Sequence, residues 1–401
     1  MKESDKNKKE MAVLEDSQQQ IAFEVEDYLK KNYLLRYNMM TRMEECCKIT
    51  SENDEKTRQN AVWQPLSDRL LNTIVHEKMR MGGNSWAVDI RRFIHSTLIP
   101  EYNPMQEYLQ NLPPCNRHYD YIGSMARRIP TNFAHAETLF HRWFLAMVAQ
   151  WLGMNRNHGN AVVLMLIGNQ GQFKSTFCKL ILPPCLREYY IDDIKMESSE
   201  QVERMLCRMA LVNIDEYNAK TNHEQARIKR ILTEREIQVR QMRSSKYAML
   251  NRMASFTATT NDQHPLSDPS GSRRYLCIPV KGRIQTARVV LYDKMYAQAM
   301  YELQQGERYW FDRREEALLN ENNRQFQQIQ TVDELLLSFY KPALRSVRYF
   351  VRAIDIQKKM RSVLAGRDIP SLKMLTMALA RNKFQHGAYN GKYGWYVQEV
   401  G

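Results

Sequence analysis

Four groups of residues have the types and spacing needed to handle a phosphoanhydride. The first is GNQGQFKST, which comprises Gly168, Asn169, Gln170, Gly171, Gln172, Phe173, Lys174, Ser175 and Thr176. It follows the apolar, partly β-branched run 161–167. Strand, glycine-bearing loop, Lys-Ser and helix is the layout of a phosphate-binding loop. Backbone N–H groups and a helix N-terminus offer partial positive charge. The lysine reaches the β- and γ-phosphates, and the hydroxyl holds Mg²⁺. Phe173 stands where such loops usually carry glycine, and it asks for a backbone conformation that glycine takes at less cost.

The second group, Asp215-Glu216, ends the apolar run 209–214 about forty residues after Lys174. An Asp there holds Mg²⁺, and a Glu orients or deprotonates an attacking water. Third is Asn261, which closes SFTATTN; its amide can polarise the same water. Fourth is the Arg273-Arg274 pair in a Gly-Ser turn before YLCIPV. It suits a clamp on the γ-phosphate, in cis or from a neighbour. Each part has a plain alternative: a solvated acidic turn, a turn asparagine, surface charge. The order of the four is the specific signal.

Alternating strand and helix patterns from 161 to about 303 must position these groups, which predicts an α/β core. Strands are expected at 187–193, 209–214, 237–242 and 255–260, with helices over 200–207 and 224–232. Before the core, residues 63–154 read as mainly helical, ending in the apolar helix FHRWFLAMVAQWL. Residues 1–19 read as a polar leader, followed by a helix from Ile21, a tyrosine-bearing patch at 33–37 and a polar linker over 51–60; these sixty residues fit either a small strand-containing cap or an adaptor. Residues 307–330 read as a charged helix running into an Asn/Gln-rich linker. Beyond it, three helices and a hairpin around Asn390-Gly391 give the order of a winged helix. The expected divisions are 1–60 (adaptor or leader), 61–154 (helical pre-core), 155–305 (ATPase), 306–330 (helix and linker) and 331–401 (winged helix).

The 401 residues carry 58 Lys+Arg against 45 Asp+Glu, a net charge of +13. That excess favours a polyanionic partner, nucleic acid first. Arg240, Arg243, Lys246 and Arg252, interleaved with Tyr247, would grip a single strand, unless they form only a solvated basic loop. In the last unit, Lys373, Arg381, Lys383 and Lys392 would meet phosphates, with Leu372, Leu375, Met377 and Leu379 as core. The seven cysteines are scattered without a C-x-x-C pair, and no apolar h-region or run of about 20 apolar residues occurs. A cytoplasmic protein with no membrane span is expected.

GNQGQFKSTF, LVNIDEY, SFTATTN and GSRRYLCIPV together resemble the ATPase core of the virulence-associated E (VirE-like) family. That family is related to superfamily 3 helicases and poxvirus-type primase-helicases within the AAA+ class. YNPMQEYLQNLPP and FHRWFLAMVAQWLG are similar to its pre-core segment, and the RYN patch and C-terminal region to Bacteroides-type versions. The resemblance implies an α/β P-loop NTPase core, ATP and Mg²⁺ as ligands, a homo-oligomeric ring, and work with replication proteins on single-stranded or forked DNA of mobile or phage-like elements. By position it makes Lys174 and Ser175 the Walker A pair, Asp215 and Glu216 the Walker B pair, Asn261 the sensor, and Arg273 or Arg274 the finger. It also places a pore-facing hairpin between Asp215 and Asn261. Primer synthesis is not carried over, because no primase-type carboxylate cluster is present. The expected function is a helicase-like ATPase. The alternative is a DNA-binding protein that holds nucleotide but turns it over slowly or not at all.

Overall fold

The computed structural model describes residues 18–49, 61–82, 86–154, 158–192, 199–217, 228, 230–240, 247–266, 269–327, 331–363 and 370–400. Most of the expected leader, the linker over 51–60, and Arg243 and Lys246 lie outside the described residues.

A helix ending at residue 32 leads into strands β1 (Tyr33–Asn38) and β2 (Met43–Lys48), joined as an antiparallel hairpin. β3 (Gln64–Pro65) and β4 (Glu101–Tyr102) complete a four-stranded sheet in the order β3-β2-β1-β4. Val25, Leu29 and Tyr33 share one core with Ile74 and Val75 of the helix Asp68–Arg80 and with Ile90 and Ile94 of the helix Ala87–Ile94. The stretches divided at residue 60 in sequence therefore pack as one body. The RYN patch is part of this frame. The Arg36 guanidinium lies between the rings of Tyr102 and Trp63, at 3.5 and 4.0 Å from their centroids, and pairs with Glu45 at 2.6 Å. Asn38 turns the hairpin by accepting from the backbone N–H of Met40 and Thr41, and its amide donates to the Tyr189 hydroxyl of the next layer.

That layer is a parallel sheet of β5 (Val163–Ile167), β6 (Tyr190–Asp192), β7 (Leu211–Ile214), β10 (Ser255–Thr260) and β11 (Tyr275–Pro279), in the order β11-β5-β10-β7-β6. The hairpin strands β8 (Glu236–Arg240) and β9 (Tyr247–Asn251) stand apart from it as a two-stranded ribbon. Side chains alternate between faces along each strand, and β5, β10 and β11 are buried on both faces, as a parallel sheet requires. Leu164, Leu166, Leu276 and Ile278 face the helices Ala136–Trp151 and Tyr292–Gln304. Val163, Met165, Ile167, Phe256 and Ala258 face the helix Ser199–Arg208 and the β8–β9 ribbon. The aromatic stripe of Ala136–Trp151 is core, as its spacing suggested: Trp143 and Trp151 are fully buried, and their indole N–H groups donate to the carbonyls of Val162 and Ala210.

In the segment read as a charged helix running into an Asn/Gln-rich linker, the helix is Arg313–Asn323 and takes in the Asn-rich stretch. It covers the edge strand β11. Asn322 donates to the Cys277 carbonyl, and the fully buried Asn323 donates to the carbonyls of Ser272 and Tyr275, each at 2.7 Å. Such capping is one way to protect a sheet edge.

The last unit runs helix Thr331–Phe339, β12 (Tyr340–Pro342), β13 (Phe350–Val351), helices Ala353–Val363 and Leu372–Arg381, then β14 (Gln385–Tyr389) and β15 (Lys392–Glu399). Its core of Leu336, Ile356, Met360, Leu375, Leu379 and neighbours draws only on residues after 331. Leu372 and Met377, expected in that core, are instead 40% and 51% exposed. The helix turns Leu375, Ala378 and Leu379 inward at three-and-four spacing, which leaves Met377 on the far side.

Candidate phosphate site

β5 ends at Ile167, and the chain leaves it through Gly168. A side chain at Gly168 would press within 2.9 Å of the Val280 carbonyl and closer still to Gln172, so glycine is required there. Gly171 and Phe173 both take positive φ, at 80° and 63°. Phe173 therefore adopts the left-handed conformation that glycine would supply, at a cost of about 1–2 kcal/mol for an L side chain. The loop keeps its turn, and the ring remains 43% exposed. The helix Lys174–Leu180 follows.

The Lys174 side chain folds back over this loop. Its Nζ, 7% exposed as a residue, donates to the carbonyls of Gly168 and Asn169 and to Oδ1 of Asn261, each at 2.8 Å. Burial pulls this ammonium below the ordinary lysine range, while the Asp215 carboxylate pushes back. The Ser175 hydroxyl donates to Asp215 Oδ1 at 2.8 Å, and the Thr259 hydroxyl donates to the same oxygen. Strand register explains the meeting. Thr257 lies beside Asn213 across β10 and β7, so Thr259 comes level with Asp215 two residues on.

Lys174, Ser175, Asp215, Glu216 and Asn261 thus converge at the carboxyl edge of β5, β7 and β10. They line one cavity of about 330 Å³ with Gln170, Gly171, Gln172, Phe173, Thr176, Thr259 and Thr260. Glu216, at φ 49°, projects from a turn held by the Tyr217 N–H to the Thr259 carbonyl at 2.7 Å. A larger cavity of about 590 Å³, around Tyr119 and Val289, shares no lining residue with this one. The Arg128 guanidinium there is already spent on the backbone carbonyls of Gln285, Arg288 and Val289.

Thr259 was missed in sequence. The alternation in SFTATT contains its signal once β10 is set beside β7. The oxygen set of Ser175 and Asp215 fits a hard cation such as Mg²⁺, which takes one or two carboxylates and keeps several waters.

Arg273 and Arg274 are not brought to this cavity. They end the turn Pro269–Arg274 just before β11, and Tyr275 pairs with Val163 at the start of β5. The arginines therefore sit at the amino edge of the parallel sheet. The cavity lies a five-residue strand away, roughly 16 Å at the usual rise. Arg273 pairs with Glu316 at 3.2 Å, whereas Arg274 pairs with no carboxylate among the described residues.

Arg252 corrects an expectation. It is not on a nucleic-acid surface but 1% exposed, between helix and sheet. Its guanidinium donates to the carbonyls of Asn160, Leu232 and Ala254 at 2.9, 3.3 and 3.1 Å. Burial pushes its pKa down to about 10, which leaves it charged at neutral pH. Arg240 lies on β8 and Tyr247, 60% exposed, on β9. In the last unit Lys373, Lys383 and Lys392 are exposed, while Arg381 is held by Asp333 at 2.9 Å. No described helix is long and apolar enough to cross a membrane.

Among solved structures, the chain is similar to "The apo structure of NrS-1 C terminal region (305-718)", with a TM-score of 0.48, 11% identity, and coverage of 95% of this chain and 99% of that one. "The A form apo structure of NrS-1 C terminal region-CTR(305-718)" gives a TM-score of 0.48 and 12% identity, covering 95% and 100%. No curated protein matches. A family model described as the virulence-associated protein E-like domain matches residues 120–328. That span takes in both faces of the parallel sheet and every residue lining the cavity, and it exceeds half of the chain; this protein belongs to the virulence-associated protein E-like domain family.

Proposed function

We propose that the chain is an ATP- and Mg²⁺-dependent, helicase-like ring ATPase with a P-loop core. It acts on single-stranded or forked DNA in the replication of a mobile or phage-like element. The observation that carries this reading is the convergence of a buried lysine, a hydroxyl, a carboxylate and an amide at the ends of three adjacent parallel strands. When bound, Mg²⁺ neutralises charge on the phosphate oxygens. Lys174 exchanges its carbonyl partners for the β/γ-phosphates. Ser175 and Asp215 hold the cation. Glu216 orients the attacking water and takes its proton. Asn261 keeps Lys174 aligned and polarises the same water. Arg274 or Arg273 comes from a neighbouring subunit.

The net charge of +13, the ribbon carrying Arg240 and Tyr247, and the exposed lysines of the last unit support DNA as the partner. Three helices and a terminal hairpin on a private core support reading that unit as a winged helix.

The test is ATP turnover by the full chain with and without single-stranded DNA. The parent should hydrolyse ATP faster with DNA present, and Lys174→Ala should fall to background. Equal turnover by the two proteins would remove the reading. ATP binding without turnover in the parent would favour the alternative of a nucleotide-holding DNA-binding protein.

A further inference from the structure

Phe173 carries a side chain that the turn of the phosphate loop does not need. Its backbone takes a conformation that glycine would hold more easily, and its ring lines the cavity while staying 43% exposed. The ring has a companion. The Arg283 guanidinium lies 5.7 Å from its centroid, within cation–π range, and pairs with no carboxylate among the described residues. The companion is also held in place. Val280 donates its N–H to the Ile167 carbonyl at 2.7 Å, and Ile284 donates to the Gln172 carbonyl at 3.1 Å, so the segment bearing Arg283 is stitched to the loop on both sides. Gln285 donates onward to the Arg128 carbonyl at 3.1 Å.

We propose that Phe173 and Arg283 form the nucleobase subsite of the phosphate cavity, with Phe173 as the stacking face and Arg283 as the cation that backs it. This rests on the reading of the cavity as a triphosphate site. An aromatic face at the rim of a polar cavity offers a base what the polar residues inside cannot: apolar contact and stacking. A bare phenyl ring has no hydrogen-bond code, so it selects by stacking area. The expected class is a purine nucleoside triphosphate, with adenine and guanine little separated and pyrimidines bound more weakly. The Arg283 guanidinium lies 5.7 Å from the ring centroid, and the 43% exposure of Phe173 leaves surface on which a base can stack.

The experiment measures affinity of the full chain, with Mg²⁺, for ATP, GTP, CTP and inorganic tripolyphosphate, in the parent and in Phe173→Gly, Phe173→Tyr and Arg283→Ala. Glycine suits the positive φ at 173, so the loop keeps its shape in that variant. Phe173→Gly should weaken ATP and GTP on the order of tenfold and leave tripolyphosphate unchanged. Phe173→Tyr should keep the parent's preference for ATP over CTP, and Arg283→Ala should lose part of it. Unchanged ATP affinity in Phe173→Gly would overturn the proposal. So would equal losses of ATP and tripolyphosphate in Arg283→Ala, which would make Arg283 a phosphate ligand. A parent that binds neither ATP nor tripolyphosphate would instead overturn the phosphate reading itself, and this subsite with it.

Discussion

Asp215 and Glu216 are adjacent in sequence, yet the fold gives them different surroundings. Asp215 accepts hydroxyls from Ser175 and Thr259 on a shared oxygen, whereas Glu216 projects from a turn into the cavity. Their amides should therefore fail differently. Glu216→Gln should keep ATP bound and cut turnover by roughly 10²–10⁴, the usual worth of a general base. Asp215→Asn should raise the Mg²⁺ needed for turnover, read as a shifted metal titration at fixed ATP. Equal and mild losses in both would mark a structural acidic turn. Arg252 belongs to another kind of site. The Ala254 carbonyl and the Gln150 amide oxygen each keep a second donor, but the carbonyls of Asn160 and Leu232 rely on Arg252, and each buried carbonyl left unpaired costs about 1–3 kcal/mol. Arg252→Met should lower unfolding stability by about 3 kcal/mol or more, seen as an earlier denaturation midpoint. A change below about 1 kcal/mol would show that the network relaxes around the loss. A basic residue in a basic stretch looks like surface, and nothing local distinguishes Arg252 from Arg243. Only the folding of β9 and β10 against the helix Ala136–Trp151 buries it.

Among elements, the parallel strands β5, β7 and β11 were legible as short, largely apolar runs, and β10 as a β-branched one, each bounded by a breaker. The run 255–260 is β10 without a residue's error, and 209–214 contains β7. The terminal hairpin was legible for a backbone reason. Asn390 and Gly391 take φ of 47° and 71°, the pair of positive angles that a type I′ turn needs, and Tyr389 faces Lys392 across it. The N-terminal sheet was legible only as a strand-containing cap, one of two readings, without its strands or their order. YLLRYN and MEECCK lack clean alternation, and β1 finds β4 about sixty residues downstream. The last unit closes its own core, so residues 331–401 expressed alone should unfold in one cooperative transition. If they form a winged helix on DNA, affinity should fall steeply with salt. Lys373→Ala and Lys392→Ala should each reduce that salt slope by about one. Arg381→Ala should reduce it less, since Asp333 already neutralises that guanidinium. A folded fragment without DNA affinity at low salt would leave the β8–β9 ribbon as the contact.

At the scale of the whole molecule, the parallel sheet separates two halves of the expected chemistry. The loop 168–173 leaves the carboxyl edge of β5, and the Arg273-Arg274 turn enters the amino edge of β11, its neighbour in register. A strand's length divides them, so no side chain of that turn can serve the cavity of its own chain. The turn is nevertheless firmly built: Asn323 holds the carbonyls of Ser272 and Tyr275, and the Ser272 hydroxyl donates to Asn320 at 2.7 Å. A rigid turn that presents Arg274 without a carboxylate partner suits a cavity on another copy of the chain. In a head-to-tail ring every subunit would then lend its turn to one neighbour and receive the other's. The expectation can be read by mixing two inactive proteins. Lys174→Ala keeps a sound arginine turn, and Arg274→Ala keeps a sound phosphate loop. Mixed in equal amounts and allowed to exchange, about one interface in four would join the intact loop of one to the intact turn of the other. ATP turnover should rise from background toward that fraction of the parent's rate, and it should depend on the mixing ratio with a maximum near equality. The same mixture made with Arg273→Ala should show little complementation, because that variant should already be active: Arg273 is engaged by Glu316. No recovery at any ratio, in subunits shown to exchange, would remove Arg274 from the chemistry and leave the turn a purely structural end to β11.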